Sequence, residues 1–267
     1  MDTATRGLEI RAAGLSDRGL KRAHNEDCLS VVPDMGLFIV ADGMGGHSAG
    51  EVASRRAIER IVEYLRQEGE PETEDDTAPQ LFDPKLSLHE NRISAAVRLA
   101  NRDVHKLAEE HSEFQGMGTT VVGMLFDAAN SKAAIAHVGD SRCYRVRNGE
   151  IQLLTLDHSW VNEQLQRKII TPEEAKNHRW RNVITRALGH RPDVEVDVQS
   201  EELKPHDLYL LCSDGLSGLL DDQDLKRIML SNPDLEDCAQ ELIRAANEAG
   251  GHDNITIILI RILESPK

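Results

Sequence analysis

Cysteine is scarce and scattered in this chain: Cys28, Cys143, Cys212 and Cys238 form no C-x-x-C pair. That excludes a zinc knuckle and a disulfide framework, and small buried apolar side chains is the reading for most of them. Cys238 and Arg244 fit the bare C-x5-R spacing of cysteine-dependent phosphatases. The residues between them carry no glycine to cradle a phosphate, and Leu235, Ala239, Leu242 and Ala246 share one helical face, so a helix is expected instead. Positive charge is short as well. Lys and Arg number 31 against 46 Asp and Glu, a formal charge of -15, which argues against nucleic acid and anionic membranes as partners. No apolar run approaches the roughly 18 residues of a membrane span. Met1-Asp2-Thr3-Ala4-Thr5-Arg6 leads into no apolar signal region, so a soluble, cytoplasmic protein is expected, with monomer as the default. Internal repeats are absent, and 267 residues suit one domain over 1–267.

What is present is a set of acids beside buried-strand signals. Asp42-Gly43-Met44-Gly45-Gly46 follows the apolar run Leu37-Phe38-Ile39-Val40, Ser213-Asp214-Gly215 follows Leu208-Tyr209-Leu210-Leu211, and His252-Asp253-Asn254 precedes the run from Ile255 to Ile260. Convergence at one end of a sheet is expected. Partly buried carboxylates persist together only if protonated or neutralised by a cation, and a hard divalent cation is the simpler answer. Any one Asp-Gly is most often only a turn.

Strands are expected at about 8–15, 28–33, 36–41, 118–127, 132–138, 194–199, 207–213 and 254–262, and a hairpin of 142–147 with 151–155 across Asn148-Gly149. Helices are expected at about 48–67, 87–113, 221–230 and 234–249. Residues 68–86, rich in acids and holding three prolines, read as an exposed insertion, and 158–190 as an irregular helical flap. Grouped antiparallel strands and helices predict an α+β fold, a four-layer α-β-β-α sandwich of two antiparallel sheets.

Six stretches taken in order, Arg22-Ala23-His24-Asn25-Glu26-Asp27, Asp42 to His47, Gly118-Thr119-Thr120, Gly139-Asp140-Ser141, Ser213-Asp214-Gly215 and Asp253-Asn254, closely resemble the 2C-type metal-dependent protein phosphatases in their bacterial branch, from near residue 14 to about 262. The resemblance implies a single phosphatase catalytic domain with its metal centre at one edge of the sandwich. It implies two divalent metals, Mg²⁺ or Mn²⁺, with Asp42 bridging, the Gly43 carbonyl, Asp214 and Asp253 as direct ligands, Glu26 holding metal-bound waters, and Asp140 joining Asp214 at a third, weaker metal. Oxygen ligands suit these hard cations better than zinc. It also implies a serine/threonine phosphatase acting by direct attack of a metal-bridging hydroxide, opposing a cognate Ser/Thr kinase, with Arg22 gripping the phosphate through its planar guanidinium. Met44 stands where many eukaryotic members carry a histidine proposed as general acid, and methionine donates no proton; His47 is a weaker candidate for that step. His137, His158 and His252 are less suited to a hard cation than their neighbours Asp140, Asp157 and Asp253, and Arg186 either places the flap or sits on a helix surface. Two other readings use the same residues. One is a catalytically inactive scaffold, disfavoured because every acid of the core is present; the other is a hydrolase of small phosphate esters, which differs in groove and flap. The acidic surface favours basic residues around a phosphosite.

Overall fold

Short strands, the central ones apolar runs buried on both faces, build two antiparallel sheets, as the computed structural model describes for residues 7–45, 49–67, 82–176 and 178–264. The first sheet takes β1 (Leu8–Asp17), β11 (Ile255–Glu264), β10 (Leu208–Cys212), β7 (Arg142–Arg147) and β8 (Glu150–Leu153) in that order. The second takes β2 (Asp27–Val32), β3 (Leu37–Met44), β5 (Val121–Asp127), β6 (Lys132–Val138) and β9 (Asp197–Glu202), with the two-residue β4 (Gly118–Thr119) pairing the end of β3. Asn148 and Gly149 both have positive φ, 53° and 77°, the backbone that closes a two-residue hairpin between β7 and β8.

Alternation along the strands divides the core. Phe38, Val40, Val122 and Met124 from one sheet meet Tyr209, Leu211, Ile258 and Ile260 from the other, filling the space between sheets. The opposite face of the second sheet is covered by α1 (Ala49–Arg66) and α2 (Leu88–Glu110), which contribute Ile61, Ile93 and Val97. The outer face of the first is covered by α5 (Asp214–Ser217), α6 (Asp222–Ser231) and α7 (Leu235–Glu248), which contribute Leu216, Leu225 and Leu242. The four layers are therefore helices, sheet, sheet, helices. Caps fix the helix starts: Ser87 and Glu90 form a reciprocal capping box on α2, and Asp221 and Asp234 cap α6 and α7.

One difference from the sequence reading has a physical cause. The strand expected at 194–199 pairs as Asp197–Glu202, because Val194 and Val196 pack toward the core under α2 while the ladder with β6 begins only at Asp197. The segment 158–190 carries two short helices, α3 (Trp160–Gln166) and α4 (Pro172–Lys176), with Trp160 stacked on His178 and edge-on to Trp180. Cys238 lies buried in α7, and Arg244 is engaged by Glu241 and Glu248, so the C-x5-R spacing belongs to a helix. Of the insertion expected at 68–86, residues 68–81 lie outside the described residues. No helix among the described residues is long and apolar enough to cross a membrane.

Candidate metal centre

The acids meet where both sheets end. Asp42 lies near the end of β3, Glu26 just before β2, Asp140 between β6 and β7, Asp214 at the first position of α5, and Asp253 just before β11. Antiparallel pairing puts these termini at one end: Asp27 faces Asp42 across β2 and β3, and Cys212 faces Arg142 and Ile257 across its two neighbours. The local pattern suggested the end of one sheet, and the resemblance one edge of the sandwich; the carboxylates lie between the two sheets, because β3 belongs to one and β10 and β11 to the other.

Hydrogen bonds fix the backbone around them. Thr120 N–H donates to the Asp42 carbonyl at 2.8 Å, and Asp42 N–H donates to Thr120 Oγ1 at 3.2 Å. Asn254 is the organiser of the opposite wall. Its Oδ1 accepts from Glu26 N–H at 2.8 Å, while its Nδ2 donates to the carbonyls of Arg18 and His24, both at 2.9 Å, shaping the loop that carries Arg22. Ser213 Oγ donates to Asp27 Oδ2 at 2.8 Å and accepts from Thr256 N–H at 3.0 Å, tying the two sheets together.

Burial and mutual repulsion set the electrostatics. Burial raises the Asp42 carboxyl well above the usual range, and Asp27, Asp214, Asp140 and Asp253 add to it. Burial, then the charge of Asp214, pushes Asp140 up to about 7; burial, with Asp214 and Asp253 adding, pushes Asp27 up to about 7. Asp214 rises to about 6 through burial and Asp253, and burial raises Glu26. Such a cluster takes up either protons or cations.

The residues fit a divalent cation. Glu26 Oε1, Asp27 Oδ1 and Asp140 Oδ1 are buried without a hydrogen-bond partner, lone pairs that a cation would satisfy. At Gly43 a Cβ would stand 2.1 Å from the Gly50 carbonyl oxygen and 2.5 Å from that of Glu26, so only glycine lets the end of β3 approach the start of α1. All the donors are oxygens, which suits Mg²⁺ or Mn²⁺.

The structure brings together Glu26, Asp42, Asp140, Asp214 and Asp253, and it holds Arg22 beside them in a specific way. Arg22 Nη2 donates to Asp253 Oδ2 at 2.6 Å, which raises the guanidinium pKa further, so the residue read as a phosphate grip is paired with a residue read as a metal ligand. Asp253 Oδ1 accepts from Asn254 N–H at 2.8 Å. Met44 pairs with Gly118 at the rim, and His47 lies outside the described residues. Asp27 was not singled out from the sequence; its position opposite Asp42 in the register of the β2–β3 hairpin was the signal that places it at the site.

Among the described residues, the group of three metal-binding side chains whose donor atoms all lie within 4.8 Å of one another is His137, His158 and Asp197. It does not read as a metal site. The lone pair of His158 Nδ1 accepts from Gly139 N–H at 3.0 Å, and the Arg186 guanidinium already supplies a cation, with Nη1 donating to Asp197 Oδ1 at 2.5 Å.

Comparison with known proteins agrees with this geometry. The sequence profile described as Protein phosphatase 2C matches residues 20–259. The Mycobacterium tuberculosis serine/threonine protein phosphatase PstP is 38% identical over 258 residues, covering 96% of this chain and 46% of that protein, so the chain spans about half the length of this relative. The Listeria monocytogenes serine/threonine phosphatase stp is 37% identical over 248 residues, covering 92% and 93% of the two chains. A solved structure of the PstP catalytic domain in complex with two manganese ions superposes with a TM-score of 0.80 at 35% identity, covering 96% of this chain and 99% of that one. A profile match over residues 20–259, on two packed antiparallel sheets flanked by helices, places the chain in the protein phosphatase 2C family.

Proposed function

We propose that this chain is a divalent-cation-dependent phosphatase that hydrolyses phosphoserine and phosphothreonine in proteins, as the names of its relatives describe for them. The observation that carries the reading is the convergence of Asp42, Asp140 and Asp214, all with raised pKa values, beside the Arg22 guanidinium. Asp42, the Gly43 carbonyl, Asp214 and Asp253 would hold two cations, with Glu26 toward their waters and Asp140 with Asp214 at a third. Mg²⁺ or Mn²⁺ bound there neutralises phosphoryl charge and eases deprotonation of water.

The chain's own groups supply the rest. Arg22, half-exposed at the mouth of the site, offers paired N–H donors to phosphoryl oxygens, and Asp253 steers the guanidinium until substrate arrives. The loop bearing it is held by Asn254 and by Gly251, whose carbonyl accepts from Leu20 N–H at 2.8 Å. Met44 carries no proton, so the leaving alkoxide draws one from water or another side chain. We assign substrate selection to the 158–190 segment, since loops around a rigid centre usually carry it. We further propose that 1–267 acts as one catalytic unit, as a cytoplasmic monomer opposing a Ser/Thr kinase.

Phosphate release from a phosphothreonine peptide, measured with and without Mn²⁺, tests the reading. Metal-dependent turnover that falls at least about a hundredfold in Asp214→Asn is expected. Metal-loaded protein that releases no phosphate from the peptide would sink the reading in favour of an inactive scaffold, and faster turnover of small phosphate esters would replace the protein substrate with a metabolite.

A further inference from the structure

We propose that His158 is a positioning residue that clamps the Gly139–Asp140 turn, and so aims the Asp140 carboxylate into the metal centre. The proposal rests on the reading of Asp140 as a cation ligand.

Gly139 is held from both sides. Its φ is +107°, and a Cβ there would stand 2.6 Å from Thr120 Cβ, so the turn is wedged against the same threonine that holds the Asp42 backbone. From the other side one residue takes both of its main-chain polar groups. Gly139 N–H donates to His158 Nδ1 at 3.0 Å, and His158 N–H donates to the Gly139 carbonyl at 2.9 Å. A peptide N–H cannot accept, so Nδ1 must present its lone pair and the neutral ring carries its proton on Nε2. That proton faces Asp197 Oδ2 at 3.3 Å; Arg186 Nη1, although 3.1 Å from Nε2, cannot donate to a protonated nitrogen and donates instead to the other oxygen of the same carboxylate. His137 stacks on the imidazole with centroids 4.8 Å apart and planes 15° from parallel, and is itself held at the Leu156 carbonyl, 2.9 Å from its Nε2. Tautomer, tilt and position of the His158 ring are thus all fixed.

Asp140 gives the clamp something to resist. Its carboxylate is buried, meets the charge of Asp214, and has an unpartnered Oδ1. Left free, a turn bearing it would relieve the repulsion by swinging the carboxylate toward solvent. Metal sites commonly fix such ligands through groups one shell further out, and their loss weakens metal binding about 10- to 100-fold. The clamp is also separable from folding. Residues 139 and 158 flank the β7–β8 hairpin, whose base is independently tied by Arg142, with Nε at 2.9 Å and Nη2 at 2.7 Å from the Asp157 carboxylate. Removing the imidazole leaves that ion pair and the His158 main-chain bond in place.

The test is direct Mg²⁺ binding by titration calorimetry on the full chain, comparing wild type, Asp140→Ala, His158→Gln and His158→Asn, with thermal melts of each. Asn carries an acceptor near the position of Nδ1, whereas Gln reaches toward Nε2 and leaves Gly139 N–H unsatisfied. Asp140→Ala is expected to remove a weaker binding event. His158→Gln is expected to weaken that event about tenfold and leave tighter binding unchanged, while His158→Asn stays within about threefold of wild type. Wild-type binding in His158→Gln overturns the proposal. So does equal weakening in Gln and Asn that tracks their melting temperatures, which would make the imidazole a packing element only. A wild-type isotherm in Asp140→Ala removes the ligand reading, and the clamp's purpose with it, without touching the phosphatase assay.

Discussion

In the proposed site the Arg22–Asp253 pair serves two tasks. The 2.6 Å bond between them holds an otherwise mobile guanidinium at the mouth of the site, and both partners remain accessible, so the pair can exchange for phosphoryl oxygens at little cost. Arg22→Ala is therefore expected to lower kcat/KM for a phosphopeptide about 10- to 100-fold, the range of a lost hydrogen bond between charged groups, with unchanged melting temperature. Steady-state kinetics across peptide concentrations checks this, and an unchanged kcat/KM would remove Arg22 from substrate binding. The residues of the site differ in how readable they are. Arg22, Glu26, Asp42, Asp140, Asp214 and Asp253 were singled out in the sequence because each stands in a short motif, and the fold brings them near one another. Asp27 was passed over, since only register and burial distinguish it from an ordinary strand-start acid. His158 was read merely as a poor hard-cation ligand, because its neighbours Gly139, His137 and Asp197 come from other segments of the chain.

Elements were legible where pattern is local. Apolar runs located β3, β10 and β11, the periodic stripes located α1, α2 and α7, and Asn148-Gly149 located a hairpin. Strand partners were not legible, because a pairing such as β1 with β11 joins Leu8 to Glu264 and leaves no local trace. The four-residue α5 was also missed; Asp214-Gly215 at its start reads as a turn until the backbone is seen to coil. The junction of β3 with α1 is the element contact on which the site depends most. Gly43 N–H donates to the Glu26 carbonyl at 3.2 Å, and Ser54 Oγ from α1 donates to the same oxygen at 2.6 Å. A methyl group at residue 43 must displace the first turn of α1 and this shared carbonyl together. Gly43→Ala is expected to destabilise the fold by about 1–3 kcal/mol, the usual range for forced overpacking, and to weaken Mg²⁺ binding. Chemical denaturation with chelator present, beside calorimetric titration, reads the two effects; a variant matching wild type in both would show that the close approach is dispensable.

At the scale of the molecule, the acid cluster makes stability depend on pH and metal jointly. A carboxyl with a higher pKa in the folded than in the unfolded state binds more protons when folded, so its stabilising contribution is full below the unfolded pKa and is lost as pH rises through the folded one. Asp27 and Asp140, at about 7, and Asp214, at about 6, all carry this sign. His137 and His158, lowered by burial, carry the opposite one, and their contribution fades as pH falls through and below the ordinary imidazole range. Between about pH 8 and 6.5 the carboxyls dominate, since imidazoles with depressed pKa values stay neutral there. Chelated protein is therefore expected to melt a few degrees higher near the lower end of that window, each kcal/mol being worth about 2–4 °C at this size. Saturating Mg²⁺ at the upper end takes the place of the protons, so it should raise the melting temperature most there and flatten the pH dependence. The overall charge of -15 relaxes with acid in both forms, so the difference between chelated and loaded curves isolates the site. Asp27→Asn sharpens the assignment. With one buried charge removed, chelated protein should be more stable than wild type near the upper end, with a shallower slope. Parallel curves with and without Mg²⁺ would mean that the cluster is not where metal and protons compete.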